Sequence, residues 1–422
     1  MIGRLTTGHA RLDALLHGGF VEPSIVLLAG LPGSGKTVLA HQCAFANGSA
    51  GRPAAYFSSL AEPMGKLLQF ARGLDFFDPE KIGSALLFED LGSVLNGSGL
   101  QGALSKVTEF VGRTECSLVV IDSLPALRVT AKSDSEFHQF VHELAGRLSA
   151  FATTSLWLAE HDALDLGRAP EAAVADAVLH LSSGALRVHK LRGSDYQRGP
   201  HRYRIGSGGL EVFPRRVDLV GPPAEPEGTV TVVEGVLADC AAGSITVVVG
   251  PAGTGKTVLG LQFASGAPTV FASAAESSAA LTRIAGGFGW DCNGIEFYCD
   301  RPGDTDLDEW SHDVFVLVER TGARRLVVEG LPGYPHQLLA MCAHAGVTSL
   351  VTTGTPDLLG TRIPTDSSGA DQVVLLQHTR KGASLGHALT VVKTRSSSHL
   401  PQTREFEITG DGIRIGQPID PS

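Results

Sequence analysis

Two glycine-rich stretches decide the fold of this 422-residue chain: Gly30-Leu-Pro-Gly-Ser-Gly-Lys-Thr37 and Gly250-Pro-Ala-Gly-Thr-Gly-Lys-Thr257. Each satisfies the pattern G-x-x-x-x-G-K-[S/T] and follows a short apolar run, which predicts a phosphate-binding loop between a buried strand and a helix. The glycines let successive backbone N–H groups turn inward around a phosphate, and the helix N-terminus adds its positive dipole end. A glycine-rich turn that merely joins a strand to a helix would not require the lysine and the threonine.

Both loops are therefore expected to bind ATP with Mg²⁺. The residues predicted to contact nucleotide are Gly30, Pro32, Gly33, Ser34, Gly35, Lys36, Thr37 and Val38 in the first loop, and Gly250, Gly253, Thr254, Gly255, Lys256, Thr257 and Val258 in the second. Lys36 is expected to reach the β- and γ-phosphates, which also makes it a candidate catalytic residue. The hydroxyls of Thr37 and Thr257 are predicted to ligate the metal.

The whole chain repeats itself. The two loop lysines are separated by 256 − 36 = 220 residues, and further echoes follow in the same order, such as Ala175-Asp-Ala-Val-Leu-His-Leu and Ala370-Asp-Gln-Val-Val-Leu-Leu. Duplication of a domain explains this order. We predict one domain at residues 1–215, a proline-rich linker at 216–228 and a second domain at 229–422. Buried apolar runs that alternate with helical stretches indicate an α/β fold with mostly parallel sheets.

Composition narrows the classes of function. Hydrophobic residues make up 43% of the chain and charged residues 18%, which is ample material for buried sheets. The net charge of −10 argues against a protein that coats nucleic acid, so nucleic-acid binding stays possible but is not favoured. No stretch approaches the ~20 apolar residues that span a bilayer, and the N-terminus does not resemble a signal peptide. The six cysteines are predicted to be reduced core thiols, and the protein to be cytoplasmic with no membrane partner.

Carboxylates at strand ends are the second ingredient of a phosphate-transfer site. The apolar run from Ser117 ends in Asp122, which predicts a Walker B carboxylate that holds Mg²⁺, although a turn-capping aspartate has the same pattern. The corresponding strand of the second half ends in Glu329, whose extra methylene is expected to displace the carboxylate. Thr37, Asp122, Thr257 and Glu329 form the predicted metal set.

Two further glutamates are candidate general bases. Glu62 and Glu276 each follow the strand after a phosphate-binding loop, where a carboxylate can orient and deprotonate the attacking water. The alternative is a solvated glutamate that favours the N-terminal dipole of a helix. Glu160 and His161, after another strand, lie where a γ-phosphate sensor is possible, but a capping or core role is equally consistent.

Five separated motifs together resemble a KaiC-type domain of the RadA and RecA-like ATPases. They are the opening Thr7-Gly-His-Ala-Arg-Leu-Asp13, the first glycine-rich loop, Ala61-Glu62-Pro63, Asp122, and Lys190-Leu-Arg192-Gly-Ser-Asp195. The resemblance spans residues 4–215 and is weaker in the second half. It implies two tandem RecA-like P-loop NTPase domains, each with a mostly parallel sheet flanked by helices.

The resemblance also implies a homo-oligomer, namely a hexameric ring or two stacked rings with nucleotide between neighbouring subunits, and an unknown protein partner. Lys190 and Arg192 would then reach the neighbour's γ-phosphate, and Lys393 and Arg395 would do so in the second ring. An exposed basic strand is the alternative. The family's usual pair of adjacent glutamates is reduced to Glu62 alone, so hydrolysis is expected to be slow and to fall to the first domain.

Several functions remain open at this point. The favoured one is a slow ATPase that switches an oligomeric regulator, with turnover uncertain in the second domain. The alternatives are a DNA-handling ATPase, an autokinase, and a nucleotide-sensing scaffold that does not hydrolyse ATP.

Overall fold

The computed structural model places the chain in two compact units, Met1–Arg215 and Arg216–Ser422. It describes residues 3–59, 69–214, 228–230, 233, 237, 240–299, 306–331, 333–355, 369–381, 384–395 and 402–419. Glu62 and residues 216–227 of the predicted linker lie outside this set.

The first unit alternates strands and helices and ends in a run of strands. Its strands are β1 (Gly3–Leu5), β2 (Phe20–Glu22), β3 (Ile25–Gly30), β4 (Ala54–Ser58), β5 (Leu86–Asp90), β6 (Leu118–Asp122), β7 (Thr154–Ala159), β8 (Ala177–Ser182), β9 (Ala185–Leu191), β10 (Pro200–Gly206) and β11 (Gly209–Phe213). Its α-helices are α1 (Ala10–Leu15), α2 (Lys36–Asn47), α3 (Gly92–Thr114), α4 (Leu124–Thr130), α5 (Asp134–Ala150) and α6 (Pro170–Val174), with 3₁₀ turns at Pro79–Lys81 and Leu166–Arg168.

The first sheet has nine strands in the order β11-β10-β9-β8-β3-β7-β6-β4-β5. The strands from β8 to β5 are parallel, and β9, β10 and β11 continue the sheet with antiparallel pairing. This order puts β3 between β7 and β8, and β6 beside β4. Because parallel strands end at one edge, the segments that follow β3, β4, β6 and β7 gather there.

Alternate residues of the central strands face two separate cores, as a sheet covered on both faces requires. On β3, Leu27 and Ala29 pack with α3, α4 and α5, whereas Val26 and Leu28 pack with α1 and α2. Continuous apolar sequence in these strands is thus explained by burial on both faces.

The second unit repeats this plan. Its strands are β12 (Thr229–Val230), β13 (Cys240–Ala241), β14 (Ile245–Gly250), β15 (Thr269–Ser273), β16 (Ile295–Tyr298), β17 (Arg325–Glu329), β18 (Thr348–Gly354), β19 (Gln372–Lys381), β20 (Ser384–Thr394), β21 (Thr403–Thr409) and β22 (Gly412–Pro418). Its helices are α7 (Lys256–Ala264), α8 (Ser278–Gly287), α9 (Leu307–Thr321) and α10 (His336–His344).

The nine-stranded sheet of the second unit has the order β16-β15-β17-β18-β14-β19-β20-β21-β22. Strand β14 pairs in parallel with β18 and β19, as β3 pairs with β7 and β8. The predicted fold class, two tandem RecA-like α/β domains with mostly parallel sheets, is confirmed. One difference is that β19 and β20 pair over ten positions, whereas β8 and β9 pair over six.

The cysteines depart in part from the expectation. All six are free thiols, and Cys43, Cys116, Cys240 and Cys342 are buried. Cys292 and Cys299 are only half-buried, because they flank β16, which is the edge strand of its sheet. Within the described residues, no helix is both long and apolar enough to cross a bilayer.

Candidate functional site

The first glycine-rich loop leads from the end of β3 directly into α2. Gly33 and Gly35 adopt φ values of +80° and +91°, a left-handed conformation that glycine enters without strain. Lys36 is 8% exposed, and its ammonium donates to the carbonyl oxygens of Gly30 at 2.7 Å and Leu31 at 3.0 Å. Burial lowers the pKa of Lys36, while the nearby Glu160 and Asp122 carboxylates raise it. The lysine is therefore a buried cation that is held by backbone carbonyl oxygens of the loop.

The predicted Walker B carboxylate lies against this loop. The hydroxyl of Thr37 donates to Oδ2 of Asp122 at 3.2 Å, and Asp122 is 7% exposed. In the sheet, β7 lies between β3 and β6. The last residue of β6, Asp122, therefore reaches the start of α2, which follows β3. A threonine hydroxyl beside an aspartate is the donor set that P-loop proteins offer to Mg²⁺.

The second loop has the same conformation. Gly253 and Gly255 have φ values of +80° and +85°, and Lys256 donates to the carbonyl oxygens of Gly250 at 2.8 Å and Pro251 at 2.7 Å. Burial also lowers the pKa of Lys256, against the opposing effect of Glu329.

Glu329 still reaches the loop in spite of its longer side chain. Thr257 donates to Oε1 at 2.6 Å, and Ser273 at the end of β15 donates to Oε2 at 3.0 Å. The extra methylene therefore does not carry the carboxylate away from the threonine, contrary to the displacement we expected. Burial raises the pKa of Glu329, the two hydrogen bonds lower it, and the negative charge of Glu276 raises it further.

Of the two candidate general bases, only Glu276 belongs to the described residues. Its side chain is exposed, its backbone N–H donates to Ser273 Oγ at 3.0 Å, and Ser277 caps the helix α8 that follows. The negative charge of Glu276 contributes to the raised pKa of Glu329.

Glu160 and His161 have different surroundings. Glu160 follows the end of β7 and is exposed, and its negative charge raises the pKa of Lys36. His161 lies 2.6 Å from Glu171 on α6 through Nε2, and Glu171 is 2% exposed. The structure thus pairs His161 with a buried glutamate, which agrees with a core role for this histidine.

The four basic residues at the strand ends also form matched pairs. Lys190 donates to the carbonyl oxygen of Ala175, and Lys393 donates to that of Ala370 at 2.7 Å. Arg192 pairs with Asp176 at 3.2 Å and Arg395 with Asp371 at 3.3 Å, with guanidinium side chains 61% and 53% exposed. Ion pairs between exposed side chains contribute little stability, so these two arginines can exchange partners at little energetic cost.

The residues present fit ATP and Mg²⁺. Helices α2 and α7 begin after Gly35 and Gly255, and no side chain of a described residue caps either first turn. Uncapped N–H groups, a buried lysine and a threonine–carboxylate pair together suit a polyphosphate and its metal. The hydroxyl oxygen of Ser34 is also buried, with no hydrogen-bond partner among the described residues.

Several residues that contact the two loops or their carboxylates were not predicted from the sequence. Tyr56 donates to Asp122, Tyr203 donates to the carbonyl oxygen of Ser34 at 2.7 Å, and Ser273 donates to Glu329. In the second unit, Nε2 of His378 on the long β19 lies 3.0 Å from the carbonyl oxygen of Ala252. All four come from strands that are distant in sequence from their partners, so no local motif marks them.

Comparison with known proteins agrees with this geometry. A family model described as the KaiC ATPase matches residues 5–217 and 238–298, together more than half of the chain. The circadian clock protein KaiC3 of Synechocystis sp. is 25% identical over 99% of this chain and 92% of its own length. The circadian clock oscillator proteins KaiC of Prochlorococcus marinus and Synechococcus elongatus are each 22% identical over 98% of this chain, and over 93% and 89% of their own lengths.

Proposed function

Because the chain belongs to the KaiC ATPase family, we propose that it is a slow ATP-hydrolysing protein that works as an oligomeric regulator. Turnover takes place in the first unit, and the second unit binds nucleotide in a structural or regulatory role. The proposal is supported above all by the hydrogen bond between Thr37 and Asp122 next to the buried Lys36.

The chemistry of the first unit follows from these side chains. Lys36 would compensate the charge of the β- and γ-phosphates, and Thr37 with Asp122 would hold Mg²⁺, which would supply charge neutralisation for transfer of the γ-phosphoryl group to water with ADP as the leaving group. Glu62 is the proposed base that orients and deprotonates water. With a single glutamate at that turn, turnover is slow.

The ring assembly is part of the proposal. Arg192 and Lys190 would complete the neighbouring subunit's site and stabilise transition-state charge in trans. This assignment is supported by the second unit, where Lys393 and Arg395 contact the corresponding backbone carbonyl and aspartate. Repetition of such an arrangement in both halves is expected of a shared role.

Unequal activity of the two units is supported by their carboxylates. Asp122 is short and accepts from Tyr56 and Thr37, whereas Glu329 has an extra methylene and accepts from Thr257 and Ser273. The two units therefore offer different carboxylate ligands to Mg²⁺.

The test compares Mg²⁺-dependent ATP hydrolysis by the full chain with that of Lys36→Ala and Lys256→Ala at matched oligomeric state. We expect Lys36→Ala to abolish turnover and Lys256→Ala to retain most of it. If neither variant differs from a wild type without turnover above background, the chain is a nucleotide-sensing scaffold and the proposal fails.

A further inference from the structure

Two polar aromatic side chains are buried beneath the first nucleotide site. Tyr56 on β4 is 0% exposed and His41 on α2 is 4% exposed. Their ring centroids are 4.7 Å apart, and the ring of Phe88 lies 5.3 Å from that of Tyr56. His41 follows Thr37 by one helical turn, so the pair lies between the start of α2 and the sheet.

Tyr56 is bonded to the carboxylate that defines the site. Its phenolic O–H donates to Oδ2 of Asp122 at 2.5 Å, and the same oxygen accepts from Thr37. A phenol is protonated at neutral pH, so Tyr56 acts as a hydrogen-bond donor to the carboxylate.

The second unit serves as an internal comparison. Tyr56 lies two residues before Ser58, the partner of Asp122 in the sheet, and Phe271 lies two residues before Ser273, the partner of Glu329. His41 follows Lys36 by five residues, and Leu261 follows Lys256 by five. Both polar aromatic residues of the first unit are thus apolar in the second, where Ser273 donates to the Glu329 carboxylate.

We propose that Tyr56 is a positioning residue, which holds the Asp122 carboxylate in one orientation toward Thr37 and thereby sets the Mg²⁺ requirement of the first site. A carboxylate turns easily about its terminal torsion, so a fixed donor on one oxygen selects the orientation that suits the metal. This inference rests on the proposed function, because it concerns the metal that accompanies nucleotide at that site.

The test measures binding rather than turnover. Full-length protein that carries Lys256→Ala, which silences the second site, is titrated with Mg²⁺ while the affinity for N-methylanthraniloyl-ADP is followed by fluorescence. Removing one hydrogen bond from a residue that orients a metal ligand costs about 10- to 100-fold in metal affinity. We expect Tyr56→Phe to raise the midpoint Mg²⁺ concentration by about 10-fold or more, with unchanged affinity in the absence of metal.

The control is Tyr196→Phe, which removes a phenolic hydroxyl that lies near the carbonyl oxygen of His189 and outside the site. Its Mg²⁺ midpoint should equal that of the parent. Phe271 shows that the fold accepts phenylalanine at this strand position, and thermal denaturation checks the folding of each variant.

The outcomes separate the two proposals. An unchanged Mg²⁺ midpoint in Tyr56→Phe, with nucleotide still bound, would overturn the positioning role and leave the proposed ATPase standing. Loss of affinity with and without metal alike would also overturn it, since that result indicates damage to the pocket. The parent protein and the same protein with Lys36→Ala are also compared for nucleotide binding. If Lys36→Ala removes no bound nucleotide, the proposed function itself fails.

Discussion

The substitution His41→Leu gives a pH-dependent change in stability whose size follows from burial. The Nε2 atom of His41 is buried and has no hydrogen-bond partner among the described residues. Burial lowers the pKa of His41 from 6.5 to about 4. The folded protein therefore holds this imidazole neutral at pH values where an unfolded chain would protonate it.

The sign and size of the effect follow from linkage. Since the unfolded chain binds a proton below about pH 6.5 and the folded protein does so only near pH 4, stability falls as the pH drops through this window. Between pH 7 and pH 5 the loss amounts to about 2 kcal/mol for this one group. Leucine cannot bind a proton, so His41→Leu removes that loss.

Hydrogen exchange followed by mass spectrometry measures the effect separately in each unit. Peptides from α2 and β4 report the opening free energy of the first unit, and peptides from α7 and β15 provide an internal control. At pH 7 we expect the variant to match or exceed wild type by up to about 1 kcal/mol, because an unsatisfied nitrogen is removed. At pH 5 the advantage should grow by about 2 kcal/mol. An advantage that does not change with pH would show that His41 is not held neutral by burial.

Three further substitutions test the site and its support. Ser273→Ala removes a buried donor to Glu329, so hydrogen exchange in the second unit should show a loss of about 1–3 kcal/mol, and no loss there would contradict the bonding described. Gly19→Ala places a Cβ 2.4 Å from a backbone carbonyl oxygen at φ +95°, so thermal denaturation should show a loss of more than about 1 kcal/mol, unlike Gly51→Ala, which has open space. Arg192→Ala should change the unfolding free energy by less than about 1 kcal/mol yet lower ATP turnover about 10³-fold, and turnover within tenfold of wild type would exclude the trans role.

The fold and the centre of each site could be predicted because their determinants are local in sequence. The P-loop pattern needs only eight adjacent residues, and the conformations of Gly33, Gly35, Gly253 and Gly255 agree with it. Walker B strands carry their own signature, a buried apolar run that ends in a carboxylate. Duplication strengthened both predictions, since each pattern occurs in both halves in the same order.

The support of each site could not be predicted in the same way. Tyr56 meets Asp122 only because β4 pairs with β6 in the observed register, and the sequence between them does not specify that register. Glu329 reaches Thr257 because a longer side chain can bend back toward the loop, which reasoning from side-chain length alone did not anticipate. His161 lies near a predicted site in sequence, yet its pairing with Glu171 depends on the placement of a short helix.

In the proposed function, the first unit hydrolyses ATP and the second does not carry the turnover. The most direct measurement is the steady-state rate of Mg²⁺-dependent ATP hydrolysis by Asp122→Asn and by Glu329→Gln, each in the full chain and at matched oligomeric state. We expect Asp122→Asn to lower the rate to background and Glu329→Gln to retain most of the wild-type rate. A rate that persists in Asp122→Asn but disappears in Glu329→Gln would contradict the proposed function.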